Sequence, residues 1–357
     1  MKKNFFIRVD GSSIIGTGHI IRCIALAEEL KNSFKKIIFL TKQDSGILID
    51  IIKKNGFDVI ILDSKANFPK KNENNYYNEI NIIKNCLNYY ENDLNYLLID
   101  HYEIDTIYES KLRNTFRQIF VIDDLANRIH DCDLLIDQNL YENPTKRYVN
   151  LIPKNSITLL GPKFVILRSE FLTLESNKSK NFSVKKILIS FGGSDPTNEC
   201  QKILRAICSQ KIKKFDITVV AGIHNQNFES LKKEFSKNEN IKIFHHMENF
   251  SELLLQSDLC FGAGGTTTWE RMYLGIPSIV TIISSDQKES VNFLAKLGHV
   301  INLGFAQNLS ENDYLKCIEN IDSIVLQNMS IKNQELIDGQ GCKRIKKQIM
   351  ALVSDDQ

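Results

Sequence analysis

The chain has 357 residues, 43% of them hydrophobic and 25% charged, with a formal charge of +2. That length sustains two ordinary domains with separate cores, and near-balanced charge along the chain excludes a basic nucleic-acid surface or a polyanionic partner. The eight cysteines stand singly without a Cys-x-x-Cys pair or zinc spacing, no apolar stretch approaches the roughly 18 residues of a membrane span, and the apolar run in "MKKNFFIRVDGSS" stops at Arg8, too short for a secretory signal; a reduced, cytoplasmic protein with no membrane contact is expected.

Short apolar runs at 5–9, 36–41, 57–62, 96–100, 117–123 and 133–138 read as buried strands of a parallel sheet. After the first, "HIIRCIALAEELK" (19–31) puts Ile20, Cys23, Ile24, Ala27 and Leu30 on one helix face. The polar stretch "LESNKSKNFS" (174–183) has linker composition. The alternation then restarts, with runs at 184–193, 215–222, 241–246, 258–265, 277–283 and 299–304. The pattern predicts an α/β chain of two doubly wound, Rossmann-like domains, 1–172 and 184–357, facing across a cleft. The terminal helices, ending in "KRIKKQIMALV", are expected to pack back on the first domain.

The polar motifs fall at the carboxyl ends of these strands, where doubly wound sheets bind ligands. In "DGSSIIGTGHIIR" (10–22), Gly11, Gly16 and Gly18 fit neither the P-loop nor the dinucleotide spacing. His19 follows at the start of a helix, where orphan N–H groups and the dipole disfavour imidazolium. The ring can therefore accept a proton, and a general base is favoured over a core histidine. "IDHYEID" (99–105) sets Tyr102 at a strand end, within reach of a ligand. Asp123 and Asp124 read as loop carboxylates that cap a helix or position a neighbour.

In the second half, "FGGSDPTN" (191–198) offers Ser194 or Asp195 as a helix N-cap, and Gly192 and Gly193 N–H groups to an anion. "IFHHMEN" (243–249) carries adjacent histidines that point apart, with no further ligands at metal spacing. "FGAGGTTTWERMYLGIP" (261–277) clusters N–H and hydroxyl donors at Gly264, Gly265 and Thr266–Thr268. Such a cluster suits a diphosphate. Glu270 lies one turn inside, either accepting both hydroxyls of a ribose or simply solvated.

Taken in order, "RVDGSSIIGTGHIIRC", "LLIDHYEID", "VIDDLANRIHDCDLLIDQN", "LLGPKFVILRSEF", "SFGGSDPTN", "GAGGTTTWERMYLGIPSI" and "IDGQGCKRI" give a chain that resembles the UDP-sugar hydrolases of pseudaminic acid biosynthesis. These remove UDP from UDP-2,4-diacetamido-2,4,6-trideoxy-β-L-altropyranose. The resemblance implies a GT-B-like fold with UDP held mainly by the C-terminal domain. It implies that His19 activates water at the anomeric carbon, with Tyr102 beside it as a second catalytic residue. The substrate and UDP set it suggests is Gly16 and Gly18 in the first loop, Gly193, Ser194 and Met247, then Gly264, Gly265, Thr266, Thr267 and Glu270, and finally Asp286 and Gln287. At Asp286 the chain departs from the family, which typically has asparagine before that glutamine. No cofactor, metal or nucleic acid is implied, and a monomer acting on a small UDP-sugar is expected. The competing readings are a GT-B glycosyltransferase with the same donor seat, a non-catalytic nucleotide-sugar module in which His19 is structural, and a hydrolysing epimerase.

Overall fold

The computed structural model describes residues 2–12, 14–62, 73–174, 183–209, 215–247 and 249–355. The chain divides into two compact units, residues 1–168 with 340–357, and residues 169–339.

The first unit holds a parallel sheet of β1 (Lys3–Val9), β2 (Lys36–Lys42), β3 (Asp58–Leu62), β4 (Leu94–Asp100), β5 (Ile119–Ile122), β6 (Leu134–Asp137) and β7 (Ile157–Leu160), in the order β3-β2-β1-β4-β5-β6-β7. Strand order reverses between β1 and β4, so the loops after these two strands diverge and leave room between them. Strand periodicity sorts β1: Phe5, Ile7 and Val9 face one core, and Phe6 faces the other. On the first face lies the helix Gly18–Leu30, with Ile20, Cys23, Ala27 and Leu30 fully buried. The helix Gly341–Asp355 shares that core through Ile345, Ile349 and Val353, all at 0% exposure. Each such side chain contributes about 1.5–3 kcal/mol on burial.

The second unit repeats the plan with β8 (Lys186–Ser190), β9 (Asp216–Ala221), β10 (Ile241–His245), β11 (Leu259–Ala263), β12 (Ser278–Ile282) and β13 (Ile301–Phe305), ordered β10-β9-β8-β11-β12-β13. Here the reversal lies between β8 and β11. Ile187, Ile189 and Phe191 pack against the helix Glu199–Ser209 on one face, and Leu188 and Cys260 against Phe171, Phe250 and Leu254 on the other.

Every run read as a strand is one. The addition is β7, whose four residues are half exposed in part and so lack a continuous apolar signature. The end of the first unit differs from the sequence expectation. The first unit stops at Arg168 rather than 172, because Phe171 is buried in the second unit's core. Residues 340–357 count with the first unit because their apolar face completes its core. Most of the expected linker, 175–182, lies outside the described residues.

Candidate functional site

The first unit gathers ionisable side chains at the β1/β4 reversal. After β1 the chain must turn sharply toward its helix. Gly11 permits this, since a Cβ there would lie 2.5 Å from Leu48 Cδ1 and 2.9 Å from Ile20 Cδ1. Ser12 and Gly16 then close the loop through two backbone hydrogen bonds, Gly16 adopting a φ of +87° that favours glycine. Gly18 and His19 open the helix, which has no side-chain cap.

His19 is buried, and its Nδ1 lies 2.6 Å from Asp100 Oδ1, at the end of β4. Arg22, one turn further on, grips the same carboxylate with Nε and Nη2, both at 2.6 Å. Arg22 Nη2 also stands 3.2 Å from His19 Nδ1. The shorter contact, to Asp100, sets the tautomer. A bare Nδ1 would set its lone pair against the carboxylate, so Nδ1 carries the proton and donates it to Asp100. In the neutral ring Nε2 is then the basic nitrogen. Burial by itself raises the Asp100 carboxyl, but Arg22 and His19 reverse this and hold it well below the usual carboxylate range.

The network continues through Arg22 Nη1, 2.7 Å from Asp124 Oδ2. The Tyr102 hydroxyl donates to the same oxygen at 3.1 Å, and Asn139 donates to Oδ1 at 3.0 Å. The Tyr102 ring stands edge-on to His19, with centroids 4.5 Å apart, so the two proposed catalytic residues share one carboxylate scaffold. Behind Asp124, Asp137 is raised to about 8, by burial first and then by the Asp124 charge. Its protonated Oδ2 can donate to Tyr148 OH at 2.9 Å, leaving that hydroxyl's proton for Asp123 O at 3.0 Å. His101 turns the other way: its Nδ1 accepts from Glu103 N–H and its Nε2 lies 3.3 Å from Asp10.

The second unit presents backbone instead. Gly192 has a φ of +71°, and the turn at 192–193 crosses so close to Gly222 that a Cβ there would lie 2.0 Å from Gly192 O. Asp195 is the cap of the following helix, accepting from Glu199 N and Cys200 N. Ser194 is half-buried beside it. After β11, Thr268 N bonds Gly265 O and Trp269 N bonds Thr266 O. Among the described residues, no acceptor meets the N–H groups of Gly265, Thr266 or Thr267.

Several expected donors are engaged elsewhere. Gly264 N–H donates to Gln287 Oε1 at 3.2 Å, and Ile283 N–H does the same. Gln287 thus acts here as a splint for the turn, and Gly264 lacks a side chain because a Cβ would lie 2.3 Å from Val291 Cγ2. Thr268 is buried, its hydroxyl donating to Ala263 O at 3.2 Å. Asp286 accepts from the Ser284 hydroxyl. Met247 packs half-buried on the Phe250 cluster, and Glu270 is buried in the first turn of its helix. Among the described residues no group of three or more His, Cys, Asp or Glu side chains is arranged to hold a metal ion.

The sequence marks Asp100 only as the start of the strand-end motif 100–102, with no role, and Arg22 not at all, although a signal exists: an arginine three residues after His19 on the same helix face.

Residues 187–349 match the glycosyltransferase family 28 C-terminal domain. An uncharacterized protein of Methanocaldococcus jannaschii is 32% identical over 79% of this chain, which spans 56% of that protein's length. The UDP-2,4-diacetamido-2,4,6-trideoxy-β-L-altropyranose hydrolase of Campylobacter jejuni is 27% identical, over 82% of this chain and 97% of its own. Among solved structures, MurG of Acinetobacter baumannii superposes with a TM-score of 0.69, at 12% identity, covering 98% of this chain and 100% of that one. The fold is GT-B-like, and the chain resembles the UDP-2,4-diacetamido-2,4,6-trideoxy-β-L-altropyranose hydrolases in sequence.

Proposed function

We propose that the protein hydrolyses a UDP-sugar, with UDP-2,4-diacetamido-2,4,6-trideoxy-β-L-altropyranose as substrate, in the making of a nonulosonic acid. The observation that carries the reading is the 2.6 Å pairing of His19 Nδ1 with Asp100, which supports Nε2 as the base. In the reaction Nε2 takes a proton from water as its oxygen bonds to the anomeric carbon. The C1–O bond breaks and its electron pair leaves with UDP. Asp100, kept ionised by Arg22, stabilises the imidazolium that forms. Tyr102, anchored through Asp124, limits how the ring can turn. The N–H groups of Gly265, Thr266 and Thr267 receive the diphosphate, whose charge grows as the bond breaks. The helix they open, Thr267–Tyr273, has only seven residues, so local N–H groups rather than a long dipole act on the diphosphate.

Proton NMR of the purified protein with this UDP-sugar, and no acceptor, tests the reading. Prompt appearance of UDP and the free hexose is expected. The match to a glycosyltransferase domain over 187–349 favours a second reading, transfer to an acceptor hydroxyl. Release of UDP only after an acceptor is added would establish that reading instead.

A further inference from the structure

Arg271 is wholly buried, at 0% exposure, in the helix Thr267–Tyr273. Among the described residues no carboxylate pairs with it. Its Nη2 donates to Ala263 O at 2.8 Å and to Thr268 Oγ1 at 2.9 Å, Nη1 stands 4.0 Å from Cys260 Sγ, and Nε has no partner. Among the described residues the other buried arginines sit on carboxylates: Arg8 on Asp10 and Glu79, Arg22 on Asp100 and Asp124, and Arg128 on Asp123.

A buried cation compensated only by neutral oxygens is unfavourable by several kcal/mol unless something else answers its charge. Its position shows what could. A Cβ on Gly262 would lie 2.1 Å from Nη1 and 2.7 Å from Ser190 O. The guanidinium is therefore wedged between the ends of β8 and β11, at the strand reversal of the second sheet. It also holds the carbonyl from which the Gly264–Thr267 turn departs. Ligands of doubly wound sheets sit just outside this point.

We infer that Arg271 is a positioning residue for the nucleotide diphosphate: it fixes the turn at Ala263 and Thr268 and supplies a fixed positive charge beneath the N–H groups of Gly265–Thr267. This rests on the reading of that turn as a UDP seat. The charge acts on the phosphates and not on the base or ribose. It therefore sets the difference in affinity between UDP and uridine.

Titration calorimetry of the full chain with UDP and with uridine tests it. In R271Q, which keeps an amide donor for Ala263 O but no charge, UDP affinity is expected to fall about tenfold and uridine affinity less than twofold; R271K is expected to recover UDP binding to within about threefold. If R271Q does not fold, R271M, an unbranched apolar replacement of the kind buried charges often tolerate, takes the same comparison. Equal losses for UDP and uridine, or no loss for either, overturn the role of Arg271 alone. A wild-type protein that does not bind UDP overturns both this role and the seat on which it rests.

Discussion

The two units carry opposite chemistry at the same place in the same fold. At the β1/β4 reversal the first unit buries His19, Arg22, Asp100 and Asp124 in a continuous network of ionised and hydrogen-bonded side chains, with Asp10 paired to Arg8 and His101 at the end of β1. At the β8/β11 reversal the second offers glycine and threonine backbone around one buried arginine. A base must be held in one tautomer and orientation, which takes charged partners on rigid strand ends. A dianionic group requires many N–H donors and no carboxylate near them, which takes bare backbone. The contrast predicts that substitutions in the first unit act on turnover and those in the second on affinity.

The sharpest break of that contrast is at His19. His19→Ala should lower turnover by at least about 100-fold while leaving UDP affinity unchanged. Single-turnover kinetics beside calorimetry check it. Near-normal turnover would remove the imidazole from the mechanism, and a parallel loss of affinity would dissolve the division of labour.

Gly222→Ala attacks the second unit alone. The added Cβ meets Gly192 O at 2.0 Å and Gly193 O at 2.4 Å, so the turn at 192–193 must shift, at about 1–3 kcal/mol. The single tryptophan, Trp269, is buried in this unit, and its fluorescence melting transition should move down accordingly. An unchanged transition would mean that the crossing of the two loops is not tight.

A smaller and more selective effect is expected from Thr266→Pro. Thr266 has φ −55°, which proline adopts without strain, so the change removes the N–H and the side-chain hydroxyl, and Thr266→Val, which removes the hydroxyl alone, separates the two. Loss of one hydrogen bond to a charged group is worth about 1.5–3 kcal/mol, and UDP affinity should fall about tenfold or more at unchanged melting temperature. Affinity equal to that of the wild type would show that this amide faces no phosphate.

The strands were legible because both faces of each sheet are covered, which writes near-continuous apolar runs such as "YLLID" and "SIVTI". Glycine motifs were legible as turns for the same reason: they interrupt those runs. Partnership was not. Nothing in "LLID" says that its last residue meets a histidine 81 positions away, because that contact is made by strand order, and strand order is a tertiary fact. Gly264 and Thr268 show the converse: donors clustered in sequence looked available, yet Gln287 and Ala263 already receive them. The domain boundary moved for a related reason, since Phe171 is apolar in either setting and only packing decides which core it enters.

The least effect, and the most specific to the first unit, concerns protons. Asp100 and Asp123 are held below their ordinary range, each by arginine and histidine overcoming burial. Their contribution to stability is present above the unfolded carboxylate value of about 3.9 and is lost as pH falls. Asp137 has the opposite sign. Raised to about 8, it binds its proton more tightly folded than unfolded, so its contribution is full below about pH 4 and is lost as pH rises toward 8. Asp124, Tyr148, Asn139 and Arg147 surround it, and burial with the Asp124 charge outweighs the pull of Arg147, 3.6 Å away. Asp137→Asn keeps a neutral group of the same shape and cannot ionise. The melting-temperature advantage of wild type over this variant, followed by far-UV circular dichroism, should therefore shrink between pH 5 and pH 8. A constant difference would mean that Asp137 does not carry the proton in the folded protein over this range.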